Sequence, residues 1–222
     1  MPTTATSANG HYTLQKVLAG RYFVEFAESG SFGCRDRGNW LSQWYKGINS
    51  PFMTGKETVV RVAKGKVTRG INASLRRGGQ ISGTVRSQSG KPLKGICVTV
   101  SGRVANGFTE AIPRTGKLGK YVVHGLFKGS YVVGFKVGCG SSGNFAPQWW
   151  RHASTERAAT HIHVSGTRKV TGTDGALAPG SAITGVVHAQ TLVGPRLRGI
   201  CVDAINFRTG VSAEGRTNRN GD

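Results

Sequence analysis

The most reactive side chains of this chain are its four cysteines, Cys34, Cys97, Cys139 and Cys201. None stands in a Cys-x-x-Cys pair, so a zinc ribbon is not expected. Cys34 and Cys97 are 63 residues apart, Cys97 and Cys139 42, and Cys139 and Cys201 62. Spacing alone selects no pairing. If two of them are bonded, the protein works in an oxidising compartment. The opposite reading is four buried thiols in a cytosolic protein.

Other chemistries lack their parts. A glycosidase needs two facing carboxylates, and residues 78–179 offer only Glu110, Glu156 and Asp174. There is no Gly-x-Ser-x-Gly elbow and no phosphate loop. The "NGD" and "TDG" triplets lack the dense aspartates of a calcium loop. His161 and His163 alternate on an expected strand and would share a face, but a third ligand is missing nearby. A solvated strand face is the expectation, with no metal, no cofactor and no enzymatic activity within these residues.

The aromatic residues are the remaining candidates. "NWLSQWYKGIN" at 39–49 is written again as "NFAPQWWRHAS" at 144–154, 105 positions later. Trp44 and Tyr45 in the first copy match Trp149 and Trp150 in the second. Such rings either cap the open end of a β-sandwich or form a platform for a sugar ring. The platform needs polar donors beside it, and Asn144 and Gln148 are available. Asn144, Gln148, Trp149, Trp150, Trp44 and Tyr45 are therefore the carbohydrate-binding candidates.

Charge sets the other partners. Lys and Arg number 30 against 10 acidic residues, a formal net charge of +20. That favours anionic polymers, cell-wall polymers and polysaccharides included. The basic residues are scattered, and no strand interleaves basic with aromatic residues in the manner of RNA readers. Nucleic-acid binding, if any, is expected to be sequence-blind. No apolar run is long enough to span a membrane. The stretch "MPTTATSANG" carries no hydrophobic region of a secretory signal.

The elements that must position these residues are strands. Glycine is abundant, at 34 residues, and no helical stripe is present. Short Val-, Ile- and Tyr-rich runs bounded by Gly, Ser, Asn or Pro read as an all-β sandwich. The copying extends along the chain. "GHYTLQKVLAGRYFVEF" (10–26) matches "GKYVVHGLFKGSYVVGF" (119–135), "INASLRRGGQISGTV" (71–85) matches "TDGALAPGSAITGVV" (173–187), and "PLKGICVTV" (92–100) matches "RLRGICVDA" (196–204). Cutting at the turn-rich joints "LRRGGQ" and "LAPGSA" gives three parts: residues 1–77, the rear part of a repeat; 78–179, a complete repeat; and 180–222, the front part of a repeat. The complete repeat predicts seven strands: 80–86, 95–101, 105–112, 120–124, 130–136, 160–165 and 169–177. The strand runs at 71–75 and 182–189 extend the pattern into the end parts. Gly83 and Gly185 sit inside expected strands, where a bulge or a close backbone approach is the usual reason. The chain leaves the repeat cycle about where it enters it, which reads as a section of a longer array.

The order "GG-x-I-x-G-x-V … G-x-P-L-x-G … G-x-Y … L-x-x-G-x-Y-x-V-x-F" resembles the carboxypeptidase regulatory-like, prealbumin-like β-sandwich repeats, in the version found in large extracellular proteins of actinobacteria. The resemblance covers nearly the whole chain. It implies tandem Greek-key sandwiches, a non-catalytic role and a cell-surface or extracellular location. Cys97 and Cys139 belong to the one complete repeat, whereas the other cysteine pairs cross a joint, so they are the expected disulfide. The expected role is a structural spacer or adhesive surface module beside neighbouring repeats of the same protein. The alternative is a carbohydrate-binding module of a secreted polysaccharide hydrolase, amylase-like. The end parts are expected to be complementary halves. Closing them on each other within one chain would bring Cys34 near Cys201, but the short joints favour association between chains or fraying.

Overall fold

A computed structural model describes residues 3–27, 38–105, 107–208 and 210–222. Cys34 lies outside the described residues. Nearly all regular structure is β, as the spacing of the short apolar runs requires. In chain order the strands are β1 (Gly20–Tyr22), β2 (Glu25–Phe26), β3 (Gln43–Trp44), β4 (Val60–Val62), β5 (Gly79–Ser87), β6 (Cys97–Val104), β7 (Gly107–Ala111), β8 (Lys120–Leu126), β9 (Gly129–Lys136), β10 (Gln148–Trp149), β11 (Ile162–Val164), β12 (Lys169–Val170), β13 (Gly175–Leu177), β14 (Cys201–Ile205) and β15 (Ser212–Arg216).

Strands β5–β13 build a sandwich. In one sheet β7 pairs with β6 and β6 with β9, and the far side of β9 takes both β10 and β11. In the other, β5 lies between antiparallel β8 and the parallel strands β12 and β13. Alternate residues of both sheets meet in one core: Ile81 and Val85 of β5, Val98 and Val100 of β6, Tyr121 and Val123 of β8, Tyr131, Val133 and Phe135 of β9, and Leu177 of β13. The period of two sends these side chains inward and their neighbours outward. Strand β9 departs from that pattern, being buried continuously from Tyr131 to Phe135. Its second face is covered as well: the ring of Trp149 lies over Gly134, and the Trp150 N–H donates to the Val133 carbonyl.

All seven strands expected in 78–179 are present, with two refinements. The last is split into β12 and β13, because the backbone at Thr173 closes on Gly83. A Cβ added at Gly83 would stand 2.1 Å from the Thr173 carbonyl oxygen, so this glycine answers to close approach. The second is β10, too short at two residues to show a pattern in sequence.

Outside 78–179 the structure departs from the expected strands. The run 182–189 and the run 71–75 carry no strand, apart from an isolated bridge at His188, and Gly185 has nothing within 4 Å of an added Cβ. Residues 12–17, which match β8, are also without strand structure. The reason is pairing. In the sandwich, the counterparts of these three runs bond to one another through β5. Here the counterpart of β5 and the counterparts of its partners are far apart in the chain. Strands whose partners lie on the same side of the division do form: β1 pairs with β4, β2 with β3, and β14 with β15.

Candidate functional site

The segment holding the aromatic candidates is locally the same in both copies. Gln43 and Trp44 pair with Phe26 and Glu25, and Gln148 and Trp149 pair with Phe135 and Gly134. Trp44 N–H donates to the Ile48 carbonyl and Trp149 N–H to the Ala153 carbonyl, both at 2.8 Å. Each turn then uses two successive left-handed residues, Lys46 and Gly47 in one copy and Arg151 and His152 in the other. The cost of left-handed backbone at three non-glycine residues is met by the bridge each turn closes.

The candidate rings are half-buried. Trp149 stacks on Gly134, where an added Cβ would stand 3.0 Å from its ring. Trp150 packs against the core cluster, with the Arg151 guanidinium 4.8 Å from its ring centre. Gln148 Nε2 shares a hydrogen bond with His152 Nδ1 at 3.0 Å. In the other copy Trp44 is also half-buried, and the Tyr45 hydroxyl donates to the Gly70 carbonyl at 3.4 Å. Trp44 Nε1, Gln43 Oε1, Asn49 Oδ1 and Glu57 Oε2 are buried without a hydrogen-bond partner.

Asn144 is engaged elsewhere, and its partner identifies a feature that the sequence reading missed. Its Nδ2 donates to the Gly180 carbonyl at 2.8 Å, and its own carbonyl accepts from the Gly180 N–H at 3.0 Å. Asn39 does the same one copy earlier. Its Nδ2 donates to the Gly78 carbonyl at 2.6 Å, and its carbonyl accepts from the Gly78 N–H at 2.9 Å. Asn39 makes a third bond, in which its Oδ1 accepts from the Gly125 N–H at 2.8 Å. Leu41 N–H to Arg76, and Ala146 N–H to Ala178, extend the two ladders identically. Asn39 is 5 % exposed and has left-handed backbone, which asparagine tolerates better than most residues. Phe52 reinforces the same junction by lying against Gly107, at the start of β7. Both asparagines therefore make the same clamp, Asn39 on Gly78 just ahead of β5 and Asn144 on Gly180 just beyond β13. The available signal was the recurrence of Asn at the head of each eleven-residue segment.

The cysteines fall as the unit boundary suggested. Cys97 and Cys139 are bonded, with Cα atoms 5.0 Å apart. Cys201 is a free, exposed thiol. His161 shares a hydrogen bond with Ser130 Oγ at 3.0 Å. Among the described residues no group of three or more His, Cys, Asp or Glu side chains converges. Two of the three carboxylates of 78–179 serve as hydrogen-bond acceptors: Glu156 takes the Ser101 hydroxyl, and Asp174 takes the Thr84 N–H. Burial pushes the Tyr131 hydroxyl up to about 12 and raises Tyr121 further. Both hydroxyls donate to backbone carbonyls, those of Phe127 and Thr173. They are structural tyrosines. No helix among the described residues is long and apolar enough to cross a membrane.

No family model matches the chain, and no curated protein matches it. Among solved structures, the Bacillus anthracis TIE protein is similar over 66% of this chain and 26% of its own, at 15% identity and a TM-score of 0.33. A streptococcal ancillary pilin is similar over 82% of this chain and 61% of its own, at 12% identity and a TM-score of 0.33. The pilus 2b backbone protein of group B streptococcus is similar over 64% and 50%, at 14% identity and a TM-score of 0.30. The chain thus spans less than two thirds of each of these structures. At such scores the function must be argued from this chain's own residues.

Proposed function

We propose that the chain is a non-catalytic spacer of stacked β-sandwich repeats, of the carboxypeptidase regulatory-like type, divided at 77/78 and 179/180 and working outside the cell. One observation carries this reading: the two asparagine-clamped joints lie at opposite ends of β5. Gly78 immediately precedes the strand. Leu177, three residues before Gly180, pairs in parallel with Ser87 at its other end. Eight residue steps at about 3.3 Å separate the two ends by about 26 Å. Joints at opposite poles pass the chain straight through each unit, so each repeat adds length. Hydrogen bonds at the joint, in place of a slack linker, fix the angle between units. The Cys97–Cys139 bridge suits an oxidising exterior.

Backbone relaxation of the labelled chain by NMR tests this. Residues 39–77 should tumble with 79–177 as one body, and Asn39→Ala should give them independent motion. Independent tumbling of the unsubstituted chain would remove the spacer reading.

The carbohydrate-binding alternative draws on Trp149, a half-buried ring beside Gln148. It requires sugar binding that survives high salt and is lost in Trp149→Ala. The +20 charge alone would give only salt-sensitive attraction.

A further inference from the structure

The basic residues are scattered along the chain, yet the fold gathers three of them at one place in each of two copies. The hairpin β14–β15 is tied to its preceding loop as the hairpin β6–β7 is. Thr217 Oγ1 donates to the Leu197 carbonyl at 2.7 Å and accepts from the Ile200 N–H at 3.0 Å. Thr115 makes the same two bonds, to Leu93 and from Ile96, at 2.6 and 2.9 Å. These bonds fix the correspondence between the copies. Lys94 stands where the later copy has Arg198, Arg114 where it has Arg216, and Lys117 where it has Arg219. Arg198, Arg216 and Arg219 line one cleft.

The retention is selective. Of the seven Lys and Arg residues in 78–120, three remain basic in the later copy, and they are the three whose counterparts line the cleft. The other four give way: Arg86 to His188, Lys91 to Pro195, Arg103 to Phe207 and Lys120 to Asp222. Charge kept for solubility can sit anywhere on a surface. Charge kept at three converging positions marks a shared task.

The middle sandwich shows the cluster with its rear strands in place. There the Ser141 N–H donates to the Gly95 carbonyl at 3.0 Å. In the later copy Arg216 Nε donates to the matching Gly199 carbonyl at 3.3 Å. The completed fold takes that carbonyl with backbone, and the arginine at position 114 is released from it. Lys94, Arg114 and Lys117 are exposed, and among the described residues none makes an ion pair or a side-chain hydrogen bond. The buried Thr115 hydroxyl anchors the turn that carries Arg114 and Lys117 beside the start of β6. Like charges gathered without an acid repel one another, a cost that an anionic ligand removes.

We propose that Lys94, Arg114 and Lys117 form a binding subsite for a linear polymer bearing phosphate groups, repeated at Arg198, Arg216 and Arg219. Lys and Arg make charge-assisted hydrogen bonds to phosphate oxygens, and the guanidinium fork engages two oxygens at once. Successive phosphates of one polymer reach the three cations together. The second cluster lengthens the track, so two modest subsites act as one tight site. This adds a binding role to the spacer and does not rest on it.

Anisotropy of end-labelled polyphosphate, titrated with the full chain, tests the proposal. One variant combines Lys94→Gln, Arg114→Gln and Lys117→Gln. A second combines Lys91→Gln, Arg103→Gln and Lys128→Gln, which removes the same charge from other exposed positions of the same sandwich. The first should weaken binding about tenfold or more and flatten the log–log salt slope by about 2, at about 0.7 per lost contact. The second should weaken it less than about threefold, through net charge alone. Both should keep the parent thermal transition, because all six side chains are exposed. Arg198→Gln with Arg219→Gln should weaken binding as well, and leaves the middle sandwich untouched. Equal weakening by the two triple variants would overturn the proposal, by showing that diffuse charge is the cause. Failure to bind polyphosphate at low salt would overturn it, and tighter binding of dextran sulfate at equal charge would overturn the phosphate assignment.

Discussion

Asn39 and Gly78 hold each other by two hydrogen bonds, side-chain amide to carbonyl at 2.6 Å and N–H to carbonyl at 2.9 Å. The remaining Asn39 oxygen takes the Gly125 N–H. A single side chain thus ties residue 39 both to Gly78, just ahead of β5, and to Gly125 in β8. Asn39→Ala leaves the Gly125 donor and the Gly78 acceptor unpaired in a buried place. The expected loss is about 1–3 kcal/mol, read as a lower urea midpoint. Asn39→Asp keeps the acceptor for Gly125 but sets a carboxylate oxygen against the Gly78 carbonyl, and should recover little. Unchanged midpoints in both variants would show that the clamp is energetically idle.

Gly83→Ala forces a methyl group to 2.1 Å from the Thr173 oxygen. Overpacking against backbone is expected to cost at least about 1–3 kcal/mol. Gly116→Ala is the control, because its added Cβ meets nothing closer than 3.7 Å. Thermal unfolding of the two variants side by side should separate them by several degrees, with the Gly116 variant close to the parent.

Reducing the Cys97–Cys139 bridge opens a loop with a sequence separation of 42. In the chain-entropy account such a closure contributes about 4 kcal/mol. Cys97→Ser with Cys139→Ser should lower stability by an amount of that order, and reductant should then have no further effect on the middle sandwich. Reductant sensitivity persisting in the double variant would contradict this pairing.

Glu57 accepts from both the N–H and the hydroxyl of Thr54. The backbone bond foremost holds its carboxyl below the usual glutamate value of 4.5. A group whose folded value is lowered adds stability above its unfolded value and loses it as pH falls toward the folded one. The N-terminal part should therefore loosen below about pH 4.5, and Glu57→Gln should flatten that limb of the profile. Hydrogen exchange at 54–62 across acid pH reads it. Glu25 acts in the neighbouring window: burial raises its carboxyl, so stability should rise as pH falls through its folded value toward 4.5, and Glu25→Gln should remove that rise.

Binding to heparin, teichoic acid or DNA should be sequence-blind and should weaken steeply from low to moderate salt, because it rests on counterion release. Fluorescence anisotropy against salt concentration measures the slope. Tight binding that persists at high salt, or a preference for one sequence, would contradict a scattered +20 charge as its cause.

The period of the glycines, tyrosines and tryptophans determined much by itself. It located the seven strands of 78–179, the all-β class and the shared segment of Cys97 and Cys139, because alternation and turn residues act over a few neighbours. Three things waited for the tertiary structure. The runs at 71–75 and 182–189 have strand sequences yet form no sheet, since a strand exists only where a partner satisfies its backbone. Asn144 reads in sequence as a polar donor beside tryptophans; only the fold brings Gly180, 36 residues on, to its side chain. The burial of Trp149 against Gly134 depends on β10 pairing antiparallel with β9, which sets the two residues opposite each other, a contact that no local pattern encodes. Local chemistry set which segments could be strands, and long-range pairing decided which of them are.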